Sequence, residues 1–280
     1  KPPSRRSWVT FGTLSTIAPF MSTLPPVSAP ASPPMSILMY HQIGRYPRPD
    51  AHRALFCHID RFKAQLSYFK WMGVDVLSMD QARACLFEGQ PLKRRSVVIT
   101  VDDGYDDFRE HAWPALKAHG FPAMVYLVSS LVGKQADWLT DRPELPRLMD
   151  ASAVRQLRSE GCDFGSHAMS HPRLSTLSAE QQRNEIVGSK QALEDLLGER
   201  VDHFCYPYGD YTERSRDMVQ AAGYRTAATC IRGAANFSDN PFELTRKAIS
   251  WGDNLVGFAF KLHAKQARKG QAALPDRIPS

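Results

Sequence analysis

The run Val97-Val98-Ile99-Thr100-Val101 ends directly in Asp102-Asp103-Gly104. A short continuous apolar run rich in β-branched residues reads as a strand buried on both faces. The layout recurs. Residues 36–40 form an apolar run ending at His41, residues 162–165 lead into Ser166-His167, and residues 201–206 lead into Pro207-Tyr208-Gly209. Helical patterns lie between them. Phe62, Leu66 and Phe69 share one face of a helix that Asp60 caps and Gly73 ends. Further helices are expected from Ser78 or Asp80 to about 87, from Asp106 or Asp107 to 119, over 152–160, from the capping-box pair Ser178 and Gln181 to 197, over 212–222, and over 255–268. Residues 42–57 and 129–150 read as irregular connections. Strands alternating with helices point to an α/β fold with a mostly parallel sheet. In a parallel α/β barrel the chemistry sits at the carboxyl ends of the strands, where these polar strings fall.

The 280 residues, 43% of them hydrophobic, suit one sizeable domain, and the chain has no internal repeat. The net charge of +6 resides in the tails: residues 1–35 carry +3 and residues 261–280 carry +4, which leaves −1 for 36–260. The body therefore has no nucleic-acid footprint. The five cysteines include no C-x-x-C pair, which argues against a thiolate metal site or a disulfide framework. Cys162 and Cys230 fall in strand-like segments and read as core filler.

Residues 1–35 have the shape of a bacterial export signal with a Pro-rich linker. The pair Arg5-Arg6, the mostly apolar stretch 8–24 and the small-residue triplet Val27-Ser28-Ala29 are its parts, and the Arg pair is twin-arginine-like. The expected destination is the periplasm or cell envelope. Thr, Ser, Gly and Pro within the apolar stretch make it a poor permanent membrane span, and no other segment offers one. The expected organisation is this leader, a catalytic domain over 36–265 and a polar tail over 266–280.

Adjacent residues on a strand diverge, but Gly104 allows a strand-end turn that brings Asp102 and Asp103 to one site. His167 and His171, spaced i, i+4, can reach one ion from a helical turn or a tight loop. One Asp and two His can hold a zinc-like ion and leave room for water, while the second Asp is free to take a proton from that water. Ser166 is placed to orient a ligand. The donor set also suits cobalt, nickel or iron. Pro207 and Gly209 make a rigid turn around Tyr208.

In order and type these strings resemble the signature of the polysaccharide deacetylases (carbohydrate esterase family 4, NodB-like), over roughly residues 36–250. The resemblance implies a distorted (β/α)7 barrel. It implies Asp102 as general base, with Asp103, His167 and His171 as ligands of a divalent metal. It also implies that the Tyr208 backbone N–H donates to the oxyanion. Two features depart from the family. Its Arg, which pairs with the base, aligns with Cys205 here; Arg246 reads as a surface cation, the alternative being that it substitutes from another strand. The family's last strand carries a general-acid His. His263 lies in a segment of helical spacing and reads as a tail residue. The segment Ile37-Leu38-Met39-Tyr40-His41 resembles that strand moved to the front of the domain, an order similar to that of biofilm poly-N-acetylglucosamine deacetylases. His41 is then the general acid, opposite Asp102.

The implied function is metal-dependent removal of N-acetyl groups, with release of acetate, from a poly-β-1,6-N-acetylglucosamine-type polysaccharide. The alternatives are a deacetylase of peptidoglycan, chitin or xylan, and a non-catalytic carbohydrate-binding protein on a decayed barrel, which the missing Arg would favour.

Overall fold

The apolar runs form strands, and the strands close on themselves. The computed structural model describes residues 33–140, 144–236 and 239–270; the export-signal expectation and the end of the tail lie outside them. The strands are β1 (Met35–Tyr40), β2 (Gln42–Gly44), β3 (Phe56–His58), β4 (Asp75–Val76), β5 (Ser96–Val101), β6 (Met124–Leu127), β7 (Asp163–Ser166), β8 (His203–Cys205), β9 (Thr226–Arg232) and β10 (Leu244–Ala248). The helices are α1 (Ile59–Met72), α2 (Met79–Phe87), α3 (Trp113–His119), α4 (Ala151–Ser159), α5 (Ala179–Arg183), α6 (Ser189–Leu197), α7 (Glu213–Ala221) and α8 (Leu255–Ala264).

The sheet runs β1-β10-β9-β8-β7-β6-β5, and β5 pairs back onto β1, so seven parallel strands close a barrel. This is the expected (β/α)7 architecture. β4 adds a short rung beside the start of β5, at Ser96 and Val97, while β6 pairs with the end of β5 at Thr100 and Val101. The first strand of the described residues is thus a central strand, held by β10 on one side and β5 on the other. Its register with β5 runs unbroken from Met35↔Ser96 to Tyr40↔Val101, which brings His41 level with Asp102.

The period-two alternation of the strands divides the core. Val97, Ile99 and Val101 face the helices with Leu38, Tyr40, Val125 and Leu127. Ile37, Val98, Met124, Tyr126, Cys205, Ala228 and Leu244 fill the barrel, joined by Met79 and Leu86 of α2. On α1 the expected face is buried: Phe62, Leu66 and Phe69 are each fully covered, worth roughly 1.5–3 kcal/mol apiece relative to exposure.

Several local expectations are corrected. Residues 42–57 include a two-stranded parallel sheet, β2 with β3. The α1 cap is His58, whose Nδ1 accepts from the Asp60 N–H at 3.2 Å, because Asp60 already lies in the first turn. Asp150 caps α4 one residue before its start. Asp106 pairs with Arg109 instead of capping the helix it opens. Cys162 is buried as expected, but Cys230 is exposed, near Met39, and is not core filler. All five cysteines are free. No described helix is long and apolar enough to cross a membrane.

Candidate active site

Asp102 continues the inward parity of Val98 and Thr100, so its carboxylate enters the mouth of the barrel. Asp103 would then point outward, but its φ of 75° turns it back. Gly104 follows at φ 79°, and a Cβ there would lie 2.6 Å from Leu127 Cδ2. The positive φ favours glycine here, and a larger residue would also have to displace the end of the Leu127 side chain. Among the described residues, the non-glycine positions with positive φ are His52, Asp103, Ala168, His171 and Tyr208. All but His52 belong to the strings singled out from the sequence. Backbone strain of this kind gathers where a site over-determines its geometry.

His167 and His171 do not share a helical turn. They stand at the two ends of a tight loop after β7, shaped by the positive φ of Ala168 and His171. Asp103 Oδ1 lies 3.3 Å from Nε2 of each ring. The three side chains are buried, and their donor atoms fall within 4.8 Å of one another. Burial works to raise the Asp103 carboxyl, but the two imidazoles outweigh it and hold the group well below its usual range. Burial pushes His171 down, toward the neutral ring that binds metals. Asp103 Oδ1 has no hydrogen-bond partner, though it is buried. A buried, unsatisfied carboxylate oxygen facing two imidazole nitrogens fits a divalent cation.

The loop has support that the sequence reading missed. The Glu185 carboxylate accepts from the Met169 and Ser170 N–H groups at 2.8 and 2.9 Å and from the Ser170 hydroxyl at 2.6 Å. His167 Nδ1 meets the Cys205 carbonyl at 2.7 Å, which leaves Nε2 toward Asp103. Trp138 stacks on His171 with ring centroids 4.3 Å apart. Ser166, expected to orient a ligand, points elsewhere: its hydroxyl lies 2.8 Å from Ser189 Oγ.

Arg246 corrects the largest expectation. It is not a surface cation, being 1% exposed. It comes from β10 and grips both oxygens of Asp102, at 2.7 and 2.8 Å. Its remaining donors reach Thr229 O at 2.8 Å, Thr100 Oγ1 at 3.1 Å and Cys205 Sγ at 3.1 Å. Five N–H groups therefore find five acceptors. Burial opposes ionisation of Asp102, but the Arg246 charge and hydrogen bonds outweigh it and hold the carboxyl below its usual range. Asp102, His167 and Cys205 also bring ligand-type atoms within 4.8 Å. That trio suits a metal poorly, because Arg246 occupies the carboxylate and burial pushes the Cys205 thiol up.

His41 Nε2 stands 3.9 Å from Asp102 Oδ2, beside the base instead of across the site from it. Its Nδ1 is buried without a hydrogen-bond partner. Tyr208 occupies the turn after β8 with φ 58° and ψ 5°. A Cβ on Gly209 would lie 2.6 Å from the Cys230 Cβ, so the turn presses on β9. The Tyr208 ring is 43% exposed, contacts His171 edge-on at 4.5 Å and carries the Arg173 guanidinium at 4.4 Å. His263 lies away on α8, with its Nε2 2.8 Å from the Tyr68 hydroxyl.

Residues 89–227, which include both Asp, both His and the Tyr208 turn, match the model of one family, the polysaccharide deacetylases. The chain belongs to the polysaccharide deacetylase family. It is 27% identical over 226 residues to the YxkH protein of Bacillus subtilis, covering 81% of this chain and 74% of that one. It is 25% identical over 250 residues to the poly-β-1,6-N-acetyl-D-glucosamine N-deacetylase of Escherichia coli K12. That match covers 75% of this chain but only 36% of the relative. The Streptococcus pyogenes deacetylase PplD, solved with acetate, shares the fold with a TM-score of 0.72 at 23% identity, over 82% of this chain and 98% of its own. As a polysaccharide deacetylase the chain is an enzyme. Its Asp102 has a guanidinium partner, supplied by β10 in place of the residue at Cys205.

Proposed function

We propose that this deacetylase hydrolyses N-acetyl groups on a poly-β-1,6-N-acetylglucosamine-type polysaccharide, and that Asp103, His167 and His171 hold a divalent metal, zinc in the first place. The observation that carries the reading is the buried pair Asp102–Arg246 set beside the Asp103–His167–His171 cluster. A bound divalent ion supplies Lewis acidity to the amide carbonyl and the attacking water. Asp102, kept ionised by Arg246, takes a proton from that water as its oxygen bonds to the acetyl carbon. The Tyr208 N–H donates to the carbonyl oxygen as negative charge develops. His41 gives a proton to the sugar nitrogen as the C–N bond breaks, and acetate and a free amine leave.

The likeness to the E. coli enzyme and the placement of His41 directly after β1 support the β-1,6-linked substrate. The carbohydrate-binding alternative loses its main argument, because the counterion missing at Cys205 is replaced by Arg246. We propose export to the periplasm or envelope on the strength of the 1–35 leader. The test is acetate release by metal-loaded protein from matched panels: β-1,6-linked and β-1,4-linked N-acetylglucosamine oligomers, peptidoglycan and acetylxylan. Fastest turnover on the β-1,6 oligomer is expected. Preference for another panel overturns the substrate, and acetate release from none overturns the reading.

A further inference from the structure

A cavity of about 550 Å3 lies beside the carboxyl ends of β9 and β10, outside the catalytic cluster. Among the described residues its wall carries six cationic side chains, Arg53, Arg232, Lys247, Lys261, Lys265 and Lys269, and no carboxylate. The acids nearby are engaged. Asp253 lies 2.6 Å from Lys261, while Asp239 and Glu243 face Arg268 at 4.0 and 3.7 Å. Of the six, only Lys261 has an acidic partner among the described residues.

Lys247 makes the cavity more than a charged patch. It follows Arg246 on β10 and so points out of the barrel, yet it is only 3% exposed. Its ammonium donates to the Leu262 carbonyl at 3.0 Å, and the same oxygen receives Arg95 Nη1 at 3.3 Å and Gln266 Nε2 at 2.8 Å. A carbonyl has two lone pairs, so three donors compete for it, and among the described residues the Lys247 ammonium has this one hydrogen-bond acceptor. Burial, helped by Arg95, pushes Lys247 down to about 8. Gln266, also in the wall, has a buried Oε1 with no partner. A buried cation short of acceptors, among unpaired cations, is costly unless something anionic completes it.

We propose that this cavity binds the phosphate or carboxylate group of a hydroxylated ligand, a sugar phosphate or a sugar acid. The cations take the anionic oxygens, Lys247 gains the acceptors it lacks, and Gln266 Oε1 takes a ligand hydroxyl. Walls of one sign concentrate the field in the cavity, and several donors can bridge the oxygens of one phosphate or carboxylate. A neutral N-acetylated sugar leaves all of these cations but Lys261 without an anionic partner. The site stands independently of the proposed hydrolysis. It can serve a free anion or the same group carried on an acidic glycan.

The test is calorimetric titration of the full chain at constant ionic strength. Inorganic phosphate and glucuronate are the free anions, a hyaluronan tetrasaccharide carries the same carboxylate on an N-acetylated glycan, and N-acetylchitotetraose is the neutral control. Saturable binding of the anions is expected. It should weaken about tenfold in Lys247→Met and in the exposed double variant Arg53→Ser/Lys269→Ser. Acetate release from neutral oligomers should be unchanged in both. Tighter binding of the tetrasaccharide than of glucuronate assigns the site to acidic glycans, and equal affinity assigns it to small anions. Non-saturable heats, or affinities unchanged in both variants, overturn the proposal.

Discussion

Arg246 closes on Asp102 with both arms of its guanidinium, and the pair is shut off from solvent. An ion pair in that position is strong only while both members are present. Arg246→Met should destabilise the fold by about 3–5 kcal/mol, by leaving a buried carboxylate unpaired. The double variant Arg246→Met/Asp102→Asn should recover most of that loss. Urea denaturation of the single and double variants measures it, and a double variant no more stable than Arg246→Met refutes the account.

The cluster of Asp103, His167 and His171 predicts a division between its carboxylates. Asp103→Asn, His167→Ala and His171→Ala should each lower bound zinc in a metal assay. Asp102→Asn should keep its metal and lose turnover by about two to four orders of magnitude, the usual general-base contribution. Chelation should abolish acetate release, and zinc or cobalt should restore it. Metal loss in Asp102→Asn with retention in Asp103→Asn would reverse the two roles.

Glu185 touches neither ion nor substrate in this scheme, yet it ties down the loop between the two histidines. Glu185→Ala should weaken metal affinity by roughly 10–100-fold, as loss of an outer support does. Activity should return at high zinc. Unchanged affinity in a zinc competition assay would show that the loop holds its shape without the clamp.

A sugar amine departs poorly as an anion, whereas an alkoxide leaves more readily. His41→Ala should therefore lose most N-deacetylation and keep relatively more activity on an activated acetyl ester. His263→Ala should leave activity intact and cost about 1 kcal/mol for the lost Tyr68 bond. A dead His263→Ala beside an active His41→Ala would mean that the acid does not come from the first strand.

Asp107 carries a pH prediction. Burial raises its carboxyl to about 7, although the Tyr46 hydroxyl and the N–H groups of Ile43 and Phe108 oppose the shift. The sign follows from linkage. A folded-state value above the unfolded one gives stability that is complete at low pH and lost as pH rises through about 7. Wild type should therefore lose about 4 kcal/mol between roughly pH 4 and pH 8 that Asp107→Asn does not lose. Parallel stability curves for the two proteins would contradict the assignment.

Much of this was legible in the chain because strands announce themselves locally. Apolar runs ending in Asp102-Asp103, His167 and the Tyr208 turn placed each string at a carboxyl end, and the barrel put it there. What stayed hidden depends on distance and on side-chain direction. Arg246 looks like a charge on a polar strand, and only the inward parity of β10 shows it to be buried. Glu185 lies 15 and 16 residues from the backbone it holds, on a helix whose composition marks it as a surface residue. Ser166 sits next to His167, but neighbours on a strand face opposite ways, so adjacency misled. Cys230 misled by the same token, since an apolar setting in sequence did not predict an exposed thiol near Met39.

The separation of Asp102 from Arg246, 144 positions along the chain, has a consequence for biosynthesis. The N-terminal strand β1 needs both β5 and β10 for its two edges, and β10 also delivers the guanidinium. Without β10, the β1–β5 sheet would lack one closing strand, and Asp102 would lack its guanidinium. Ring closure and charge neutralisation therefore both depend on β10. Nascent or C-terminally shortened chains ending before β10 should be inert and prone to proteolysis, however intact their His and Asp residues are.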